Sequence, residues 1–254
     1  MKKVLILGNS HVGALKHGVD ELADQDIDYQ FSFAALPAPL FPRFRLKNRK
    51  LSVPSEHQAI FQSIYADGPF VDLDMYNNVV FVNGPSRLSG NLYLVNRKLP
   101  FYSTSLIREI AIHGLMSPLF DILRKTVEPA RLIYLGAPLL SERATLPRHL
   151  ASIPLIETDA DYAAINRLVA TIRNCCSETV DDPSVPTFLL PPAELLNSTG
   201  MNTLDIFIRG GMRMDGNSRT SSSNDYRRDM SHGNASYGSR VVLALLQALQ
   251  HTHV

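Results

Sequence analysis

Val4-Leu5-Ile6-Leu7-Gly8-Asn9-Ser10-His11 decides how the rest of this chain is read. Four consecutive apolar residues closed by a glycine read as a strand buried on both faces, as in a parallel sheet. Directly after it, Val12, Leu15, Val19 and Leu22 recur at helical spacing. The same alternation continues outward. Tyr29–Ala35 reads as a second strand and Asn78–Asn83 as a third. Arg131–Leu135 is the fourth, stopped by Gly136-Ala137-Pro138, and Thr187–Leu190 is the fifth. Ser103–Val127 is a long helical stretch with a break near Pro118. Thr158–Ser177 is an amphipathic helix: Tyr162, Ile165, Val169 and Ile172 share a face, and Thr158 with Asp159 cap its start. Ser236–Gln250 is a closing helix. Strands separated by helices imply a parallel sheet with helices on both faces. The expectation is one α/β domain over residues 1–254, a three-layer α/β/α sandwich around a five-stranded parallel sheet.

Composition narrows the class. The 254 residues carry 25 Lys+Arg against 24 Asp+Glu, a formal net charge of +1, which argues against a nucleic-acid partner. The apolar fraction of 45% excludes wholesale disorder. No apolar run approaches the roughly 18 residues of a membrane span. The apolar run Val4–Leu7 is also shorter than the roughly 7–15 residues of a signal-peptide core. Cys175 and Cys176 are adjacent, too few to staple the fold and not spaced for zinc. They read as ordinary thiols of a reducing compartment, so the protein is expected to be cytoplasmic.

Two segments lack periodicity: Leu36–Val53, rich in proline and basic residues, and Arg209–Arg228, rich in Gly, Ser, Asn and Arg. Both are expected to be long loops, at about 36–56 and 205–228, and long loops inside a compact domain are usually functional or mobile. Arg43, Arg45, Lys47, Arg49 and Lys50 fall in the first; Arg209, Arg213, Arg219, Arg227 and Arg228 fall in the second. The arginine fork suits carboxylate, phosphate or sulfate, and solvated loop charge is the plain alternative.

In a parallel sheet every loop leaving a strand's C-terminal end opens on one edge, where ligands bind. Ser10 follows the first strand. There it is either a helix cap or a nucleophile whose neighbouring N–H groups face a developing oxyanion. Asp229 precedes His232 by three residues, just ahead of the last helix. Such a carboxylate can hold one ring nitrogen while the other takes a proton from a serine; a capping acid and a surface histidine are the plain alternative. One hydroxyl, one imidazole, one carboxylate and several amides on one rim are the inventory of acyl transfer.

Taken together, Gly8-Asn9-Ser10-His11 after the first strand and Asp229-Met230-Ser231-His232 before the last helix resemble the SGNH/GDSL hydrolase family. The tail Asn234-Ala235-Ser236-Tyr237-Gly238 is similar to that family's segment after the histidine. The resemblance implies a flavodoxin-like sandwich with Ser10 as nucleophile, His232 as general base and Asp229 as its orienting partner. It departs from the family at three points. Asn9 replaces the usual Asp, no glycine occurs between Gly18 and Gly68, and Gly84-Pro85-Ser86-Arg87 stands where the family has Gly-x-Asn-Asp. An oxyanion hole would then draw on the N–H of Ser10, on Ala34, Ala35 or a neighbour, and on Asn83 or Ser86. His11, Arg87, Arg227 and Arg228 are candidates for substrate binding.

Other motifs fail. Gly8, Gly13 and Gly18 do not make the dinucleotide-binding glycine pattern, and Ala14-Leu15 replace the Lys-Ser/Thr of a P-loop. The expectation is therefore a serine esterase or O-acyltransferase that acts on an acyl ester of a small-molecule, anionic or carbohydrate substrate, with neither metal nor organic cofactor. The alternative is a non-catalytic module that binds an anionic glycan or a protein partner.

Overall fold

The computed structural model describes residues 1–36, 43–65, 67–83, 118–143, 182–198, 200, 202–211 and 231–251, with further residues scattered over 158–179. In chain order the elements are β1 (Lys2–Gly8), α1 (Val12–Glu21), β2 (Tyr29–Ala35), β3 (Arg45–Lys47) and β4 (Lys50–Ser52). Then come α2 (Gln58–Ile64), β5 (Phe70–Asp72), β6 (Asn78–Asn83), α3 (Pro118–Arg124), β7 (Leu132–Gly136), β8 (Thr187–Leu189) and α4 (Ala235–His251).

Five strands form one sheet in the order β2-β1-β6-β7-β8, and every neighbouring pair is parallel. The chain leaves β1 for β2 on one side and returns to β6 on the other, so the topological switch point lies where β1 ends. This is the five-stranded parallel sheet expected from the alternation, flanked by helices. Val4–Leu7, Val79–Val82 and Leu132–Leu135 are all buried, as continuous apolar runs in a parallel sheet must be.

Helices α1 and α4 pack on each other through glycine. A side chain at Gly238 would run into the carbonyl of Ala14, and one at Gly18 would run into the backbone of Gly238 and Ser239. The missing Cβ atoms let the two backbones touch. Val241, Val242, Leu245 and Leu249 extend the buried stripe of α4 at helical spacing. Within 160–178, Ala160, Ala163, Arg167, Ala170, Asn174, Ser177 and Glu178 are helical and exposed, the solvent side of the expected amphipathic helix. Its apolar face, Tyr162, Ile165, Val169 and Ile172, lies outside the described residues, as do Asp159 and both cysteines. The described helix α3 starts at Pro118, the point where the sequence predicts a break, and residues 101–117 of the expected stretch lie outside the described set.

One expectation needs correction. Much of the supposed loop at 36–56 is a β-hairpin. β3 and β4 pair antiparallel, and β5 joins them in a second sheet of three strands. Asn48 and Arg49 form the two-residue turn with φ of 51° and 59°, the positive pair of a type I′ turn. Three-residue strands give too little alternation to read, and Arg replaces the glycine that normally announces this turn. Leu51, Val71 and Leu73 carry the hairpin into the common apolar core. Among the described residues, no helix is long and apolar enough to cross a membrane.

Candidate active site

The site forms at the C-terminal end of β1. Gly8 is required there because a Cβ would lie 2.7 Å from the carbonyl of Val82 and 2.8 Å from Val12 Cγ2. The chain then turns directly into α1. The side-chain oxygen of Asn9 accepts from the N–H of His11 at 3.1 Å, and the carbonyls of Asn9 and Ser10 accept from Val12 at 3.1 Å and Gly13 at 3.2 Å. This local Asx-type bond uses an oxygen that Asn and Asp share, so the turn tolerates Asn9 where the resembled family has Asp. Among the described residues no hydrogen bond engages the Ser10 N–H, which sits at the start of α1.

The histidine arrives from the other end of the chain. Asn234 fixes its approach: the side-chain oxygen caps α4 by accepting from the Tyr237 N–H at 2.9 Å. The amide nitrogen of the same side chain donates to the carbonyls of Ile206 at 2.8 Å and Arg209 at 2.9 Å. Gly211 packs against the backbone of His232, where a Cβ would come 2.5 Å from the His232 carbonyl oxygen and 3.0 Å from its Cβ. So held, His232 brings Nε2 to 2.8 Å from Ser10 Oγ, across 222 positions of sequence. His232 is 8% exposed and His11 is 5% exposed. The two imidazoles stack with ring centroids 4.5 Å apart and 22° between planes. Ser231 Oγ lies 3.4 Å from His232 Nδ1, at the long limit of a hydrogen bond. If Ser10 donates to Nε2, the ring proton is on Nδ1.

The other expected residues divide sharply. Asp229, Ser86, Arg87, Arg227 and Arg228 lie outside the described residues, and so does the side chain of Asn83, whose backbone ends β6 opposite Gly136. Ala35 is buried at the end of β2, in register with Gly8. Leu36 donates its N–H to the Gly8 carbonyl at 3.2 Å. In a parallel ladder alternate residues face the neighbour, so the Ala35 N–H points away from β1, towards the open edge of the sheet. Ala34 and Leu36 face β1 instead, and their backbone groups serve the ladder.

The turn of the first basic segment does not reach this rim. Arg49 binds Asp74 through Nε at 2.5 Å and the Thr126 carbonyl through Nη1 at 2.6 Å. Those residues precede β6 and β7, so the hairpin turn lies at the opposite, N-terminal edge of the sheet. Lys50 lies over the Phe70 ring, 4.6 Å from its centroid. Glu56, beside this segment, has its carboxyl held below the ordinary value by its own backbone N–H first, then by His57, Arg45 and Arg43.

A buried polar network near the rim was not foreseen. Asp205 accepts from Ser141 Oγ at 3.2 Å and Arg209 Nε at 2.9 Å, with Arg143 Nη1 at 3.6 Å. Its own N–H donates to Glu142 at 3.2 Å. The network ties the loop after β7 to the segment beneath Asn234 and Gly211. The i,i+4 spacing of Asp205 and Arg209 was the only sequence signal for it. Among the described residues no group of three or more His, Cys, Asp or Glu could hold a metal ion.

No family model matches the sequence, and no curated protein matches it either.

Proposed function

We propose that this protein is a serine-dependent esterase or O-acyltransferase of SGNH type. One observation carries the reading: Ser10 Oγ and His232 Nε2 lie 2.8 Å apart, within reach of direct proton transfer. A hydroxyl that merely capped α1 would bond backbone within its own turn. This one meets a nearly buried imidazole from the far end of the sequence.

In the proposed reaction Ser10 Oγ attacks the ester carbonyl while His232 Nε2 takes the hydroxyl proton. The tetrahedral oxyanion faces the Ser10 N–H at the start of α1, with the Ala35 N–H and Asn83 or Ser86 as the further proposed donors. Collapse expels the alcohol, which receives the proton from His232 and leaves an acyl group on Ser10. Water or a sugar hydroxyl then attacks the acyl-enzyme, with His232 again taking the proton; collapse breaks the acyl–Oγ bond, releases the acid or the new ester, and returns the proton from His232 to Ser10. Asp229 is the proposed carboxylate partner of Nδ1. No step requires a metal or an organic cofactor. Arg87, Arg227 and Arg228 are the proposed contacts for an anionic or carbohydrate substrate; Arg49 does not join them. A reducing, cytoplasmic setting suits the adjacent cysteines and remains part of this proposal.

The test is a fluorophosphonate probe with mass spectrometry, beside turnover of p-nitrophenyl acetate. Covalent mass on Ser10 that disappears in Ser10→Ala supports the reading. A folded wild-type protein that neither labels nor hydrolyses the ester overturns it and leaves the binding-module alternative.

A further inference from the structure

We infer that His11 is a positioning residue for His232, acting through the stacked face of its ring. The inference rests on the proposed roles of Ser10 and His232, and adds a residue that the triad scheme does not contain. The Ser10 contact at Nε2, together with any partner at Nδ1, holds the His232 ring within its plane. Hydrogen bonds in the ring plane tolerate misalignment, so these contacts, one of them 3.4 Å long, resist out-of-plane tilt of the ring only weakly. A flat neighbour against the face removes that tilt. His11 supplies one, with centroids 4.5 Å apart and planes within 22°.

His11 is itself well anchored. It precedes the first residue of α1 with helical angles, φ −68° and ψ −18°, and its N–H is held by Asn9 Oδ1 at 3.1 Å. Its ring is almost wholly buried, so its orientation is fixed by what surrounds it. The stack also has an electrostatic consequence. When His232 takes the serine proton it becomes a cation, and the π-face of the His11 ring lies against that charge. The contact is then stronger in the transition state than in the ground state, the kind of interaction that raises kcat rather than lowering KM.

Turnover of p-nitrophenyl acetate is compared for His11→Ala, His11→Phe and His11→Gln, with the His232 ring protons followed by NMR. His11→Ala should lower kcat by about ten- to a hundredfold, the scale of a slightly misplaced catalytic group. KM should stay within about twofold, the signature of an interaction made in the transition state. His11→Phe keeps a flat ring and should restore most of kcat; His11→Gln keeps hydrogen bonding without a ring and should not. The ring-current shift of the His232 protons should persist in His11→Phe and vanish in His11→Ala. Wild-type kcat in His11→Ala, or rescue by Gln and not by Phe, overturns the inference while the esterase reading stands. A wild-type protein inert to both ester and fluorophosphonate fails the esterase reading, and the inference falls with it.

Discussion

The two edges of the five-stranded sheet carry polar clusters of opposite character. At the N-terminal edge the groups are charged and their hydrogen bonds run to backbone or to an ion-pair partner. Arg49 spans Asp74 and the Thr126 carbonyl. Arg131 donates to the carbonyls of Asn77, Leu73 and Tyr76, beside a cavity of about 420 Å³ lined in part by Asp74 and Met75. These guanidiniums close the turns that launch β6 and β7. At the C-terminal edge the described cluster is the half-buried hydroxyl of Ser10 and two nearly buried imidazoles, in contact with one another. Each member there can still give or take a proton. Among the described residues the charged clusters, the Asp205–Arg209 network beside the rim included, tie segments of backbone together, and convergence of titratable side chains from distant segments marks the candidate chemistry.

Mutations at the two edges can break that contrast. The largest effect is expected for Ser10→Ala: ester turnover should fall at least about 10⁴-fold, as when a nucleophile is removed from such a constellation. A smaller loss would mean that Ser10 is not the attacking group. Next, Gly211→Ala should push the His232 backbone aside and lower kcat by about 10²-fold, with the far-ultraviolet circular dichroism unchanged. Unaltered turnover would show that the backbone of His232 can give way without cost. Third, Asn234→Ala removes the cap of α4 and two carbonyl contacts. It should cost about 1–2 kcal/mol, read as a Tm lower by several degrees, with a several-fold loss of turnover. The smallest effect on turnover is expected at the other edge. Arg49→Ala should destabilise by about 1 kcal/mol in a urea titration, because the Thr126 carbonyl loses its partner, while kcat stays within about twofold. A large loss of activity in Arg49→Ala would erase the distinction between the edges.

The sequence made the main sheet legible because its strands are buried on both faces. Runs such as Val4–Leu7 and Asn78–Asn83 admit few other readings, and Tyr29–Ala35 and Asn78–Asn83 match the observed strands residue for residue. The hairpin at Arg45–Ser52 escaped because its strands have three residues each and its turn is Asn-Arg. That error also misassigned Arg49, since a loop after β2 was expected at the edge where β2 ends. Ser10 and His232 were legible through their places beside the first strand and the last helix. The stacked role of His11 was not, because no spacing rule relates residue 11 to residue 232. Gly211 was equally hidden: its requirement is set by the backbone of His232, 21 positions later, and by no local turn.

The contact between Gly18 and Gly238 has a consequence for when chemistry is possible. α1 begins two residues after Ser10 and α4 begins three after His232, so the hydrogen-bonded pair Ser10–His232 rides on two jaws of one clamp. The gap of that clamp is set by two absent side chains. The strands of the sheet are complete by Leu189, well before α4 is reached. A molecule with every strand paired and α4 undocked would thus be folded in its centre and have no nucleophile–base pair. The proposed activity would then be a readout of one helix seating on another, and mild heat or denaturant should silence it before the sheet gives way.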